Sequence, residues 1–325
     1  FMKKLFIKIC KLLGYEIIDQ NKFFSPTLEK KLNENLSTIN KNSIVLPLGQ
    51  VKITKKVKSL LIILRSNTEV EIWDQNKKRL FEKPKIEYSL RGINSLLRSI
   101  KYLKSKYNLI KIKTIVLEDN SNKENLDRIN RLIEKEDVQL ISLNREKYKE
   151  KIDYQNSEET FGNLASLLKS FELGREFGEE LIFFVEDDYL HFETMLEEMI
   201  SSYERIASQI GKDIFMCPSD YPYLYMENEI SNILIGNKRH WRTIKKTLCT
   251  FMTTHFLLNK YWENFHKTCL KRNDPFEKFI NEIYEKEVCI SPLKSLSLHL
   301  TNVNSSYGLA PFIDYEKIWE ENSPQ

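Results

Sequence analysis

The sequence has no long apolar run: no hydrophobic stretch approaches the roughly 20 residues that a membrane-spanning helix needs. Cysteine is scarce and unpatterned. The five residues Cys10, Cys217, Cys249, Cys269 and Cys289 are odd in number and lack CxxC spacing. That argues against a zinc ribbon or a disulfide framework and for reduced thiols, as in cytoplasm. Only nine glycines are present, and none forms a basic, glycine-rich phosphate loop after the first predicted strand. A large charge imbalance is missing too, since a net charge of +4 is far from the footprint of a nucleic-acid binder. Internal repeats and low-complexity segments are absent. With 30% charged and 41% hydrophobic residues the chain is globular rather than disordered. Its 325 residues suffice for one large domain or two small ones.

The most informative stretch is Leu181-Ile182-Phe183-Phe184-Val185-Glu186-Asp187-Asp188-Tyr189. Its apolar half predicts a buried strand of an α/β sheet. The strand stops on three carboxylates, at the edge where open α/β sheets bind ligands. Clustered carboxylates repel one another unless a cation sits between them, and hard ions such as Mg²⁺ or Mn²⁺ suit those oxygens. A solvated acidic turn is the plainer alternative.

Around this strand the pattern alternates. Strands are expected at 57–64, 113–118, 138–143 and 213–217, with another inside 247–258; helices at 89–107, 122–135, 162–177, 191–210 and 273–287. Such alternation predicts a doubly wound, mostly parallel sheet whose strand ends open on one side. A hairpin is expected around Trp73. Residues 2–18 predict an amphipathic helix with Lys4, Lys8 and Lys11 on one face and Leu5, Phe6, Ile9, Leu12 and Leu13 on the other. Such a helix suits an anionic membrane surface, or docks on the protein's own body. Residues 19–56 read as a linker or accessory segment, so the domain boundary is set at 56/57.

Three strand ends converge: Arg65-Ser66, Glu118-Asp119-Asn120-Ser121 and Glu186-Asp187-Asp188. Together they resemble family 2-like glycosyltransferases of the GT-A fold, and the resemblance spans about residues 57–300. It implies a Rossmann-like central sheet flanked by helices, with residues 57–190 as a nucleotide-sugar half and 191–325 as an acceptor half. In that family an Asp-Asp-Gly-Ser-like segment holds the nucleoside; here Asn120 stands in for the glycine, and both residues tolerate positive φ. Gly162-Asn163-Leu164-Ala165 is similar to the family's donor-side segment. The resemblance implies that Arg65, Ser66, Asp119, Asn163 and Asp187 face the nucleotide sugar. Glu186 and Asp188 would hold Mn²⁺ or Mg²⁺ in place of an Asp-X-Asp motif. His299 would add a metal or diphosphate contact, with His255 as its rival. Lys238, Arg239 and Arg242 are further candidates for the diphosphate.

An inverting transfer needs a base for the acceptor hydroxyl. Asp274, at a predicted helix start with Pro275 at N1 and Glu277 at N3, matches the family's position. Asp220 is the alternative. Tyr221, Tyr223, Tyr225 and Trp241 suit packing against an acceptor sugar. The absence of a Gln-X-X-Arg-Trp motif and of membrane spans argues against a processive polymerase. The expectation is a metal-dependent glycosyltransferase acting on a glycan or lipid-linked acceptor in surface-glycan assembly, placed in the cytoplasm or on the cytosolic membrane face. A catalytically inactive sugar- or partner-binding domain and a nucleotidyltransferase are the competing readings.

Overall fold

A computed structural model describes residues 2–15, 17, 52–69, 80–154, 157–301 and 305–324. The chain divides into two units, residues 1–52 and 53–325. The expected hairpin around Trp73 and most of the expected linker fall outside the described residues.

In the first unit the helix α1 covers Met2–Leu12. It ends in a Schellman turn: Tyr15 N donates to Cys10 O (2.9 Å) and Gly14 N to Lys11 O (3.2 Å). That turn needs a left-handed residue, and Gly14 supplies it with φ +83°. Leu5, Phe6, Ile9, Leu12 and Leu13 are exposed along the helix and its end.

The second unit is built on a nine-stranded sheet. Its strands are β1 (Ser59–Ser66), β2 (Lys111–Glu118), β3 (Val138–Ser142), β4 (Leu181–Glu186), β6 (Phe215–Met216), β7 (Ile233–Ile235), β8 (His240–Ile244), β9 (Phe251–Thr254) and β10 (Cys289–Pro292). Their order is β3-β2-β1-β4-β9-β6-β10-β8-β7. β3, β2, β1 and β4 are parallel neighbours, and only β9 and β8 run against the rest. A two-stranded ribbon pairs β5 (Tyr189–His191) with β11 (Ser297–His299).

The alternation of side chains along β1 builds two cores, because successive residues of a strand face opposite ways. Leu60, Ile62 and Leu64 pack with α2 (Lys85–Lys106) and α5 (Met195–Ile210). Leu61 and Ile63 pack with α4 (Glu158–Phe177), α6 (His255–Lys260), α7 (Trp262–Leu270) and α8 (Lys278–Tyr284). Two further helices of this unit are α3 (Lys123–Ile133) and α9 (Tyr315–Glu321).

Several local expectations shift. His191 lies in β5 rather than in the helix, because the apolar Tyr189-Leu190 pair is taken up by β11. His255 opens α6, whose first turn is capped when Thr254 Oγ1 accepts from Leu257 N (3.1 Å). The α8 helix starts at Lys278, so Asp274 is not its cap. Tyr221, Tyr223 and Trp241 are fully buried core rings and offer no face to a sugar; of the four aromatics only Tyr225 is exposed.

Candidate active site

The parallel register lines up the strand ends. Ser66 stands opposite Glu118, and Arg65 opposite Glu186. Each functional side chain at this edge is then fixed by a partner distant in sequence.

Arg65 is buried and ties three elements together. Its Nη1 donates to Asn163 Oδ1 (3.0 Å) and Ser166 Oγ (3.1 Å) in the first half of α4, and its Nη2 to Glu186 Oε1 (3.0 Å). Thr250 Oγ1 donates to Glu186 Oε2 (3.3 Å). Burial, and after it the charge of Asp188, pushes the Glu186 carboxyl above its ordinary range, although Arg65 and His299 pull the other way.

Asp119 is buried against Arg145, a residue that sequence reasoning missed. Arg145 Nε donates to Asp119 Oδ1 (2.6 Å) and Nη2 to Oδ2 (3.0 Å), a bidentate pair. Asn67 Nδ2 adds a longer contact to Oδ2 (3.3 Å). A Cβ on Gly162 would lie 2.7 Å from both Arg145 Nη2 and Asp119 Oδ2, so a larger residue here would have to displace the ends of these two side chains. Asn120 takes φ 64°, the left-handed conformation that a glycine would adopt.

Asp187 faces away from its neighbours in the acidic triplet. Its oxygens accept from Ser66 Oγ (3.0 Å), Asn67 N (3.2 Å), Ser89 Oγ (2.5 Å) and Lys85 Nζ (2.5 Å). It therefore pins the β4–β5 turn onto the first turn of α2.

Asp188 and His299 meet across the β5–β11 ribbon. Thr301 Oγ1 donates to Asp188 Oδ2 (2.7 Å), and His299 Nε2 lies 3.3 Å from the same oxygen. His299 Nδ1 contacts the Tyr307 carbonyl oxygen at 2.9 Å. A carbonyl can only accept, so Nδ1 carries the ring proton. In the neutral ring, Nε2 then turns a lone pair toward a carboxylate oxygen. Two acceptors at that distance need a cation between them or a proton on the ring. Consistent with this, the pair polarises: burial works against both charges, but His299, Lys85 and Thr301 hold Asp188 well below its ordinary value. The Asp188 charge carries His299 above its own, against that same burial.

These two donors fit a divalent cation. A ligating histidine oriented through its other nitrogen is the usual arrangement. Among the described residues no three His, Cys, Asp or Glu side chains stand close enough together to cage an ion. A cation held by Asp188 and His299 would leave positions for diphosphate oxygens, as magnesium-type sites do.

Glu277 is the second residue that sequence reasoning missed, because it read as a helix-capping glutamate. Its Oε1 accepts from Cys249 Sγ (3.9 Å), and no basic side chain of the described residues lies within salt-bridge distance. Burial, reinforced by the charge of Glu186, raises its carboxyl to about 8. Asp274 lies three residues earlier on the exposed turn before α8. Asp220 is buried with Arg242, and Tyr225 OH donates to its Oδ2 (2.5 Å), so both oxygens are engaged. Burial raises its carboxyl as well. Lys238 and Arg239 pair with Glu197 and Glu198 on α5, so with Arg242 all three of these cations are committed within the protein.

No protein-family model and no curated protein sequence matches the chain. Solved structures similar to it are glycosyltransferases and nucleotide-sugar enzymes. The Staphylococcus aureus protein TarS (residues 1–349) aligns with a TM-score of 0.42 and 9% identity, over 74% of this chain and 59% of its own. The Streptococcus pneumoniae glycosyltransferase GlyE aligns at 0.40 and 10% identity, over 83% and 61%. The galactosyltransferase LgtC, solved with donor and acceptor sugar analogues, aligns at 0.34 and 10% identity, over 70% and 72%. These superpositions are loose, and the geometry of the strand-end site carries the functional conclusion.

Proposed function

We propose that the chain is a nucleotide-sugar-dependent glycosyltransferase that uses a divalent cation and inverts the transferred sugar. The observation that carries this reading is the Asp188–His299 pair, a carboxylate and an imidazole 3.3 Å apart beside a row of aligned strand ends. Asp188 and His299 would hold Mn²⁺ or Mg²⁺, with Glu186 behind them. The ion would neutralise charge on the departing nucleoside diphosphate. Arg65 sets Glu186 and Asn163; Ser66 and Asp187 fix the turn; Asp119, squared by Arg145, lines the nucleoside side.

Glu277 is our choice as base, with Asp274 and Asp220 tested beside it. It is a carboxyl group without a basic partner among the described residues, beside the proposed metal corner, whereas Asp220 is locked to Arg242 and Asp274 is exposed. In the transfer, Glu277 takes the acceptor hydroxyl proton as that oxygen bonds to the anomeric carbon. The bond from that carbon to the diphosphate oxygen breaks, and its electron pair leaves with the nucleotide. The basic, apolar α1 suits contact with an anionic membrane and access to a lipid-linked acceptor for surface-glycan assembly, which would place the chain on the cytosolic membrane face.

The test is calorimetry with UDP, GDP, CDP and dTDP, each with Mn²⁺ or with EDTA. One diphosphate should bind with Mn²⁺ and lose affinity in EDTA, and Asp188→Asn should abolish the difference. No binding of any nucleotide in either buffer refutes the reading and favours an inactive binding domain. A nucleotidyltransferase would instead form a nucleoside triphosphate from the nucleotide sugar and pyrophosphate.

A further inference from the structure

A third, smaller core lies behind the Asp188–His299 pair. It joins Leu190 of β5, Leu298 and Leu300 around β11, Tyr88 of α2, and Ile318 and Trp319 of α9, and shares no buried residue with the two cores that flank the sheet. Trp319 is its hub. Its ring stacks on Phe81 at 4.2 Å and tilts against Tyr88 at 4.8 Å, and the Arg91 guanidinium lies over it at 4.2 Å. Two turns of α2 grip the backbone of the tail. Arg91 Nε donates to Trp319 O (3.3 Å), Asn94 Nδ2 to Asn322 O (3.2 Å), and Arg98 Nη1 to Glu321 O (2.7 Å).

The contact leads to the site in two steps. Leu80, next to Phe81, donates from its backbone N to Leu300 O (3.4 Å), and Leu300 N donates to Asp188 O (3.0 Å). Leu300 sits between His299 and Thr301, whose side chains both meet Asp188 Oδ2. One tripeptide therefore holds Asp188 at three points, and Trp319 backs it through Phe81 and Leu80.

We propose that Trp319 is a positioning residue for the cation corner: by clamping Phe81 it sets the approach of His299 and Thr301 to Asp188. This rests on the metal reading above. Losing the clamp loosens the corner while the two sheet cores stay closed.

The experiment compares Trp319→Ala and Trp319→Phe in the full chain by hydrogen exchange, by Mn²⁺ titration of nucleoside-diphosphate binding, and by thermal unfolding. Trp319→Ala should speed exchange across residues 296–301. It should raise the Mn²⁺ half-saturation about tenfold, as loss of a supporting shell does. Nucleotide binding in EDTA should not change, and Trp319→Phe should restore both readouts. Wild-type exchange and Mn²⁺ dependence in a protein that only melts earlier would overturn the proposal. Should Trp319→Ala fail to fold, Phe81→Ala removes the same stack from the other side and is read the same way. Failure of the wild type to bind any diphosphate sinks the proposed function, whereas unchanged exchange in the variants sinks the clamp.

Discussion

Glu277→Gln should make the protein more stable and less active, and the stability gain should depend on pH. The Glu277 carboxyl titrates at about 8 in the folded chain, chiefly because of burial, against an ordinary value of 4.5. Between those values the folded protein keeps a proton that the unfolded chain has released. The unfolded state binds fewer protons there, so stability falls as pH rises through this window. At pH 7 the gap is about 2.5 pH units, or at most about 3.4 kcal/mol at 1.36 kcal/mol per unit. The carboxyl keeps some contact with water, which screens the penalty, so about 1–2 kcal/mol is expected. Glutamine is neutral throughout. The variant should therefore match the wild type near pH 4.5 and exceed it by about that amount near pH 7.5. Urea unfolding in EDTA is the right assay, since a bound cation would favour the charged carboxylate. Transfer to acceptor should fall by about 10²–10⁴ while nucleotide affinity is kept. A stability difference that stays flat from pH 4.5 to 8 refutes the burial argument, and retained transfer refutes the role as base.

Two other outcomes follow from packing and surface chemistry. Gly162→Ala should gain about 1 kcal/mol of helix propensity. It should lose more by prising Arg145 from Asp119, since breaking a buried pair costs about 3–5 kcal/mol. The net loss is about 2 kcal/mol or more by urea unfolding, and a stabilised variant would show that the pair simply moves aside. The full chain should cosediment with anionic vesicles in low salt and lose that binding with Phe6→Asp or with added salt. Binding that ignores both changes, or no binding at all, removes the membrane role from α1.

The fold was legible because its signals are local. β4 announced itself by a continuous apolar run ending in charge, and α2 by its helical spacing, although it begins four residues earlier than the spacing suggests. The convergence of Arg65, Glu118 and Glu186 followed from parallel strands of matched length. His191 was misplaced because the ribbon that captures it depends on β11, more than 100 residues later. Pairing across such distances leaves no mark on a window of sequence.

The site was half legible for the same reason. A motif names the carboxylates that gather at an edge, but their availability depends on which cations reach them. Asp220 looked as free as Asp274 until Arg242 closed on it from β8. Asp119 kept its place in the motif, yet both its oxygens are taken by Arg145, 26 residues on. Asp187 stands between two candidate metal ligands but spends its charge on Lys85. What remains without a lysine or arginine partner after this accounting, among the described residues, is Asp188, paired with His299, and the Glu277 carboxyl whose titration both Glu186 and His299 influence. Residues whose charge is settled inside the protein shape the cleft, and those whose charge is left open are the ones that a cation or an acceptor proton can complete.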